Sequence, residues 1–350
     1  VNDLQFDVDQ IITFLVGLLE TPSPLGYTVE AVTYTQQAFA ALNIPNITME
    51  VTPKGALLLH WPGRADDAPR GVTAHLDTLG LMVKEIKNDG RLKLTNLGGV
   101  TWPAIEMEGV TVRTHDDRRY RGTVLFSNPS THVNRETHTG KRDAKSMEVR
   151  LDIITHSADE TRAAGIDVGD FVILDPRVEV TESGFIRSRF LDDKAGVAVI
   201  YGAMQAMHNA GLQPAQDTWF LIANYEEVGH GGSAGFPDSL AEVLAVDMGA
   251  VGEGQASDEF SVSICVKDAS GPYHFEMNNK LRRLAAEHDI PAKVDIYPYY
   301  SSDGSAYWRA GGTGRVGLVG PGVDASHAYE RTHRDSLHHS AHLIARYLLD

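Results

Sequence analysis

Two adjacent glutamates, Glu226 and Glu227, follow the apolar run Trp219-Phe220-Leu221-Ile222-Ala223 and precede Gly229, Gly231 and Gly232. An apolar run ending in carboxylates reads as a buried strand that delivers acidic side chains to the rim of a sheet. Four other stretches offer carboxylates or imidazoles: His75-Leu76-Asp77, Leu191-Asp192-Asp193-Lys194, Asp247 after Leu244-Ala245-Val246, and Ser326-His327. Two imidazoles and several carboxylates, with no thiolate, suit divalent first-row cations such as zinc, cobalt or manganese. A pair of cations needs about this many ligands, with one carboxylate bridging them and room left for a shared water or substrate oxygen. Asp77, two residues beyond His75, is placed to accept the second imidazole N–H and orient the ring.

Taken singly, each of these has a plainer reading. A histidine at a strand end is usually a hydrogen-bonded structural residue, Asp247 could cap a turn, and Asp192 or Asp193 could be the N-cap of a helix ahead of Ala195. Only their conjunction points to a metal site. Gly231-Gly232-Ser233-Ala234-Gly235 matches the serine-hydrolase elbow, but that elbow must follow its strand directly, and here Glu226 to His230 intervene. A glycosidase pair at Glu226 and Glu227 conflicts with adjacent strand residues pointing to opposite faces. His333, His338, His339 and His342 lie in or beside the last helix and read as surface or packing residues. Asp303 could start a helix or line a substrate pocket, and Tyr329 and Glu330 could orient His327.

The elements that must position these groups alternate. Helical spacing runs from Val8 to Leu19, Val29 to Leu42, Ala195 to Met207, Lys280 to His288 and Ser336 to Leu349, with apolar strand-like runs between them. Such alternation predicts an α/β fold: a doubly wound, mostly parallel sheet with helices on both faces. Between Leu79 and Arg177 the texture changes to short alternating segments and glycine turns, a small all-β insertion. The expected division is 1–78 with 178–350 for the α/β domain and 79–177 for the insertion. Residues 111–150 carry nine Lys/Arg against five Asp/Glu, a locally basic stretch that reads as a solvated loop or subunit contact.

Composition excludes several partners. Thirty-one basic against 47 acidic residues give a net charge of −16, which disfavours nucleic acid and anionic membranes. No apolar run approaches the roughly 20 residues of a membrane span. The single cysteine, Cys265, cannot close an internal disulfide, and a cytoplasmic location is expected.

In order and spacing, Ala74-His75-Leu76-Asp77-Thr78-Leu79-Gly80, Leu191-Asp192-Asp193-Lys194, Glu226-Glu227-Val228-Gly229, Val246-Asp247-Met248-Gly249, Ser302-Asp303-Gly304 and Ser326-His327-Ala328-Tyr329-Glu330 resemble the M42 metallo-aminopeptidases of the zinc-exopeptidase superfamily. The resemblance covers essentially the whole chain. It implies two divalent metal ions, zinc first, with His75 and Asp247 on different metals, Asp192 bridging both, Glu227 and His327 completing the set and Glu226 as catalytic base. It also implies short peptide substrates cleaved at the N-terminal residue, and a homo-oligomer built through the insertion. Asp192-Asp193-Lys194 and Ser301-Ser302-Asp303-Gly304 depart from the family's usual Asp-Asn-Arg and Gly-Thr-Asp-Ala, which bears on substrate preference. The alternatives are a metal-dependent deacylase or carboxypeptidase of the same superfamily and, more remotely, a non-catalytic scaffold with this fold.

Overall fold

A computed structural model of the chain describes residues 4–350. The first three residues of the expected α/β domain lie outside that range. Contacts divide the described chain into two compact units, residues 4–77 with Arg177–Asp350, and Thr78–Pro176.

The first unit opens with α1 (Val8–Glu20), α2 (Val29–Ala41), β1 (Thr48–Val51), β2 (Leu57–Trp61) and β3 (Ala65–His75). The second unit contributes β4 (Gly80–Ile86), β5 (Leu92–Leu97), β6 (Gly109–Arg113), β7 (Arg119–Phe126), β8 (Met147–Leu151), α3 (Ala158–Ala163) and β9 (Phe171–Leu174). The first resumes with β10 (Glu179–Val180), β11 (Phe185–Ser188), α4 (Leu191–Asn209), β12 (Gln216–Ala223), β13 (Glu242–Val246) and β14 (Gly249–Val251). It closes with β15 (Val262–Asp268), β16 (Gly271–Pro272), α5 (Phe275–Glu287), β17 (Ala292–Ile296), α6 (Asp303–Arg309), β18 (Arg315–Asp324), β19 (Glu330–His333) and α7 (Arg334–Leu349).

The centre of the large sheet is four parallel strands in the order β12-β3-β13-β18. Antiparallel partners flank them, β2 beside β12 and β15 beside β18. Phe220, Leu221, Ile222 and Ala223 are all fully buried, and so are Val243 and Leu244. Strands covered on both faces lose the in-out alternation, which is why these runs read as continuously apolar. The cover is visible at β18: a Cβ on Gly317 would meet Met277 and Leu281 of α5, whereas its neighbour Val316 packs against Gly304 of α6. Neighbouring strand residues point to opposite faces, so α5 and α6 lie on opposite sides of the sheet.

Helix α4 is buried along nearly its whole length, from Leu191 to Met207. A helix apolar all round belongs inside a layer, and α1 and α7 pack against it. Phe14 of α1 stacks on Tyr201 of α4 at 4.5 Å between ring centroids. Asp7 caps α1, accepting from the Gln10 N–H at 3.0 Å, and the Lys194 ammonium donates to the Leu18 and Thr21 carbonyls at the helix's other end, at 2.9 and 2.7 Å. This anchors the start of α4, and with it Asp192, to the end of α1.

The second unit is a closed antiparallel barrel in the order β4-β5-β8-β7-β6-β9. Leu81, Val83, Leu92, Leu94, Val110, Val112, Val124, Val149 and Val172 fill its interior, alternating along each strand as the short-period pattern requires. Much of its basic stretch is paired internally. Arg113 meets Asp117 at 2.8 Å, Arg118 meets Asp116 at 2.9 Å and Arg142 meets Glu106 at 2.8 Å.

Candidate active site

Three of the parallel strands end in the polar groups singled out by the sequence. His75 is the last residue of β3, Asp247 directly follows β13, and Glu226 and Glu227 lie three and four residues beyond β12. Groups at the carboxyl ends of neighbouring parallel strands converge on one crevice. Asp192 arrives from the start of α4 and His327 from the loop after β18.

Their nitrogen and oxygen atoms form two groups that share one member. Donor atoms of His75, Asp192 and Asp247 lie within 4.8 Å of one another, and so do those of Asp192, Glu227 and His327. The two oxygens of Asp192 face different imidazoles, Oδ1 at 3.3 Å from His75 Nε2 and Oδ2 at 3.4 Å from His327 Nε2. Glu227 Oε2 stands 3.6 Å from His327 Nε2. Glu226 belongs to neither group, although its Oε2 is 3.8 Å from His75 Nε2.

Local structure fixes each of these side chains. His75 Nδ1 donates to the main-chain carbonyl of Asp77 at 2.9 Å, which turns the Nε2 lone pair toward Asp192. The Asp77 carboxylate is farther from the ring, 3.6 Å from Nδ1, and accepts instead from the Glu226 and Glu227 N–H groups at 3.1 and 3.2 Å. Of the two acceptors Asp77 offers, the carbonyl orients the imidazole, and the carboxylate holds the turn that carries the two glutamates.

That turn also revises the strand-end picture. Glu226–Val228 is a 3-10 turn entered through Tyr225 at φ 66°, so the two glutamates are not bound to opposite faces as strand neighbours would be. His327 (φ 63°) and Phe190 (φ 73°) are likewise left-handed, and such conformations in residues with side chains cluster where a site over-determines the backbone. Asp192 and Asp193 lie within the first turn of α4 with non-helical dihedrals and a cis peptide between them.

A correction concerns the pairing of ligands. The resemblance implied His75 and Asp247 on different metals, but their donor atoms fall in one group with Asp192, because β3 and β13 are adjacent parallel strands that end side by side. Glu330, named only as a residue near His327, does more than expected. Buried to 2% exposure, it accepts from the Asp192 N–H at 3.1 Å and the His327 N–H at 2.9 Å, tying the shared residue to a member of the second group. Tyr329 instead donates to the Arg177 carbonyl at 2.9 Å. Asp193 caps α4 through the Gly196 N–H at 3.2 Å and accepts from the His75 N–H, also at 3.2 Å. No sequence signal separated these two jobs.

Asp303, left open by the sequence, starts α6 and accepts from the Gly232 N–H at 2.6 Å. A Cβ on Gly231 would sit 2.4 Å from its Oδ1, and one on Gly232 2.5 Å from its carbonyl oxygen, so the glycines after the glutamates are required by this close approach. Ser233, the candidate nucleophile of the serine-hydrolase elbow, donates its hydroxyl to the His230 carbonyl at 2.7 Å, and among the described residues no imidazole bonds to it. His333 caps α7, His339 Nδ1 lies 2.8 Å from the Phe260 carbonyl, and His338 and His342 pack on Phe6; none belongs to either metal-type group.

The electrostatics of the cluster ask for cations. Burial pushes Asp247 up to about 8, helped by Asp192 beside it. Burial drives Glu226 and Glu227 well above the usual carboxylate range, with Asp247 adding to the first and Asp192 to the second. Asp192 is the exception: burial works against its charge, but the His327 and His75 imidazoles outweigh it and hold the carboxyl below its ordinary value. Gathering this much carboxylate out of water is unfavourable unless the charge is neutralised. His75 Nε2 is buried with no hydrogen-bond partner, the state of a nitrogen whose lone pair is meant for something other than protein. The donor set of two imidazoles and three carboxylates fits two divalent cations sharing Asp192.

The site opens onto a cavity of about 590 Å³ lined by Asp192, Glu226, Glu227, Asp247 and His327. Tyr297, Tyr299 and Tyr300 line it as well.

Comparison with known proteins places this geometry. The profile of the M42 glutamyl aminopeptidase family matches residues 55–343. YhfE of Bacillus subtilis (strain 168), provisionally named an aminopeptidase, is 47% identical over 341 residues, covering 97% of this chain and 98% of its own. Among solved structures, aminopeptidase APDkam598 of the archaeon Desulfurococcus kamchatkensis superposes with a TM-score of 0.86 at 20% identity, covering 97% of this chain and 95% of that one. The TET1 peptidase of Pyrococcus horikoshii, described as assembling into a tetrahedron or a large octahedral shell, superposes with a TM-score of 0.82 at 18% identity, covering 97% and 99%. The structural likenesses speak for the fold, and the profile and the 47% relative for the lineage: this chain belongs to the M42 glutamyl aminopeptidase family and is an aminopeptidase.

Proposed function

We propose that the protein is a dinuclear metal-dependent aminopeptidase that removes the N-terminal residue of short peptides, with Glu226 as general base. The observation that carries this reading is Asp192, whose two oxygens face His75 and His327 separately and which belongs to both candidate ligand groups. His75, Asp192 and Asp247 would hold one cation and Asp192, Glu227 and His327 the other. When bound, the cations would supply Lewis acidity, making a water acidic enough to lose its proton near neutral pH and countering negative charge on the carbonyl oxygen.

Glu226 does the proton work. It accepts the proton of the attacking water as the new C–O bond forms, then returns it to the amine nitrogen as the C–N bond breaks. Asp77 holds Glu226 in place through its backbone N–H, while His75 and Asp247 border it electrostatically. The acidic lining of the cavity favours a substrate that presents a free α-ammonium over one with a blocked amine.

The test is metal removal. Dialysis against a chelator should abolish hydrolysis of aminoacyl p-nitroanilides, zinc, cobalt or manganese should restore it, and elemental analysis should find two equivalents per chain. N-acetylated substrates should remain uncleaved throughout. Activity that survives complete metal removal would sink the reading.

Homo-oligomerisation through the insertion belongs to the same proposal. Its support is the assembly described for the TET1 peptidase and the exposed apolar side chains Met107, Val133 and Ile154 of the second unit, 75%, 76% and 91% accessible. Light scattering on the intact protein should give a mass several times 38.2 kDa, and a monomer at micromolar concentration would remove the proposal.

A further inference from the structure

The cavity beside the candidate metal centre is one-sided in its chemistry. Beyond the metal-facing carboxylates it is lined by Glu253 and Gln255, and among the described residues no lysine or arginine lines it. Glu253 is exposed and makes no hydrogen bond or ion pair with the described residues. A Cβ on either flanking glycine, Gly252 or Gly254, would meet nothing within 4 Å, so the chain beside Glu253 is uncrowded.

Gln255 adds an acceptor of a different kind. Its amide is satisfied only with the NH₂ group turned to the Ile296 carbonyl at 2.8 Å and Asp295 Oδ1 at 2.9 Å, the orientation the surrounding acceptors require, which leaves the amide oxygen as an acceptor on a residue that lines the cavity. Asp295 is itself fixed, being buried and accepting from the Ser257 N–H and hydroxyl at 2.8 and 2.9 Å. Asp295 thus gives the Gln255 amide a fixed partner. Tyr299, which also lines the cavity, is 99% exposed and offers an aromatic face of the kind on which a cation packs.

We infer that this cavity selects peptides whose N-terminal residue is cationic, lysine or arginine, and discriminates against an N-terminal glutamate or aspartate, with Glu253 as the specificity-determining residue. The inference rests on the aminopeptidase centre proposed above. An acidic side chain entering here would meet the Glu253 carboxylate and no lysine or arginine to pair with, only neutral donors such as the Ser301 and Ser326 hydroxyls. A lysine ammonium or arginine guanidinium would meet a carboxylate, an amide oxygen and aromatic faces. The family's glutamyl designation would then not describe the preference of this member.

The experiment is a kinetic panel on the metal-reconstituted full chain, using the p-nitroanilides of Lys, Arg, Leu and Glu. Lys and Arg should exceed Glu in kcat/KM by at least about tenfold, an advantage that shrinks as salt screens the pair. In Glu253→Gln the Lys-to-Leu and Arg-to-Leu ratios should fall about tenfold, and in Glu253→Lys the Glu-to-Leu ratio should rise. Calorimetric binding of free L-lysine and L-glutamate to the wild-type protein should rank the same way. Hydrolysis of the Glu substrate as fast as Lys, or a Glu253→Gln variant that changes Lys and Leu alike, would overturn the inference and leave the proposed centre standing. Cleavage of none of the four would overturn the proposed centre and this inference with it.

Discussion

Glu226→Gln is expected to keep both metal equivalents and lose hydrolysis of every aminoacyl substrate by about a hundredfold or more, in line with the contribution of a positioned general base. Glutamine preserves the size of the side chain and one acceptor oxygen but cannot take a proton from water. Because Glu226 stands outside both ligand groups, the substitution leaves the donors of both sets in place. Its backbone N–H still donates to Asp77, so the turn that carries Glu227 should not move. The loss should appear in kcat with little change in KM, since binding of the peptide does not need the proton acceptor. Elemental analysis and steady-state kinetics on the same preparation decide it. Wild-type turnover would remove Glu226 from the role, and a loss of metal would make it a ligand instead.

Asp192→Asn should have the larger effect on composition, with the metal content falling from two equivalents to fewer than one and activity falling with it. In the native side chain one oxygen faces each imidazole. Asparagine keeps one of those oxygens and replaces the other with an NH₂ group, which carries no lone pair for a cation and removes the shared negative charge. The fold should survive, because the main chain of Asp192 remains tied to Glu330. A native far-ultraviolet circular dichroism spectrum would separate loss of metal from loss of structure. Two equivalents retained in a folded Asp192→Asn protein would contradict the shared-ligand geometry.

Much of the site was legible because a strand buried on both faces is a continuous apolar run, and the first polar residue after it must lie at the sheet's rim. His75 and Asp247 announce themselves in this way, and the Glu226-Glu227 pair follows its run after only Asn224 and Tyr225. The turns just past the strand ends were less legible. The 3-10 turn at Glu226–Val228 depends on Tyr225 adopting a left-handed conformation, for which neither glycine nor asparagine signals the position. Glu330 and Asp193 act by accepting main-chain N–H groups from distant segments, and a bond to a backbone leaves no mark on the sequence of its donor. The same holds for Asp77, where both a carbonyl and a carboxylate were available at the predicted position and only the geometry assigns the imidazole to the first.

By itself the sequence determined the alternation of helices and strands and the β-rich insertion, and it offered the carboxylates and imidazoles at the strand ends, since hydrophobic period and residue type are local properties; which five of them would hold metal was implied by the family resemblance. Only the tertiary structure decided how that set divides. His75 and Asp247 share a group because β3 and β13 are adjacent parallel strands, and Asp192 joins both groups because α4 begins between His75 and His327. The cavity lining of Glu253, Gln255 and the tyrosines came into view in the same way. Distances between residues as far apart in the chain as His75 and His327 are set by strand order and helix packing, and no local spacing encodes them.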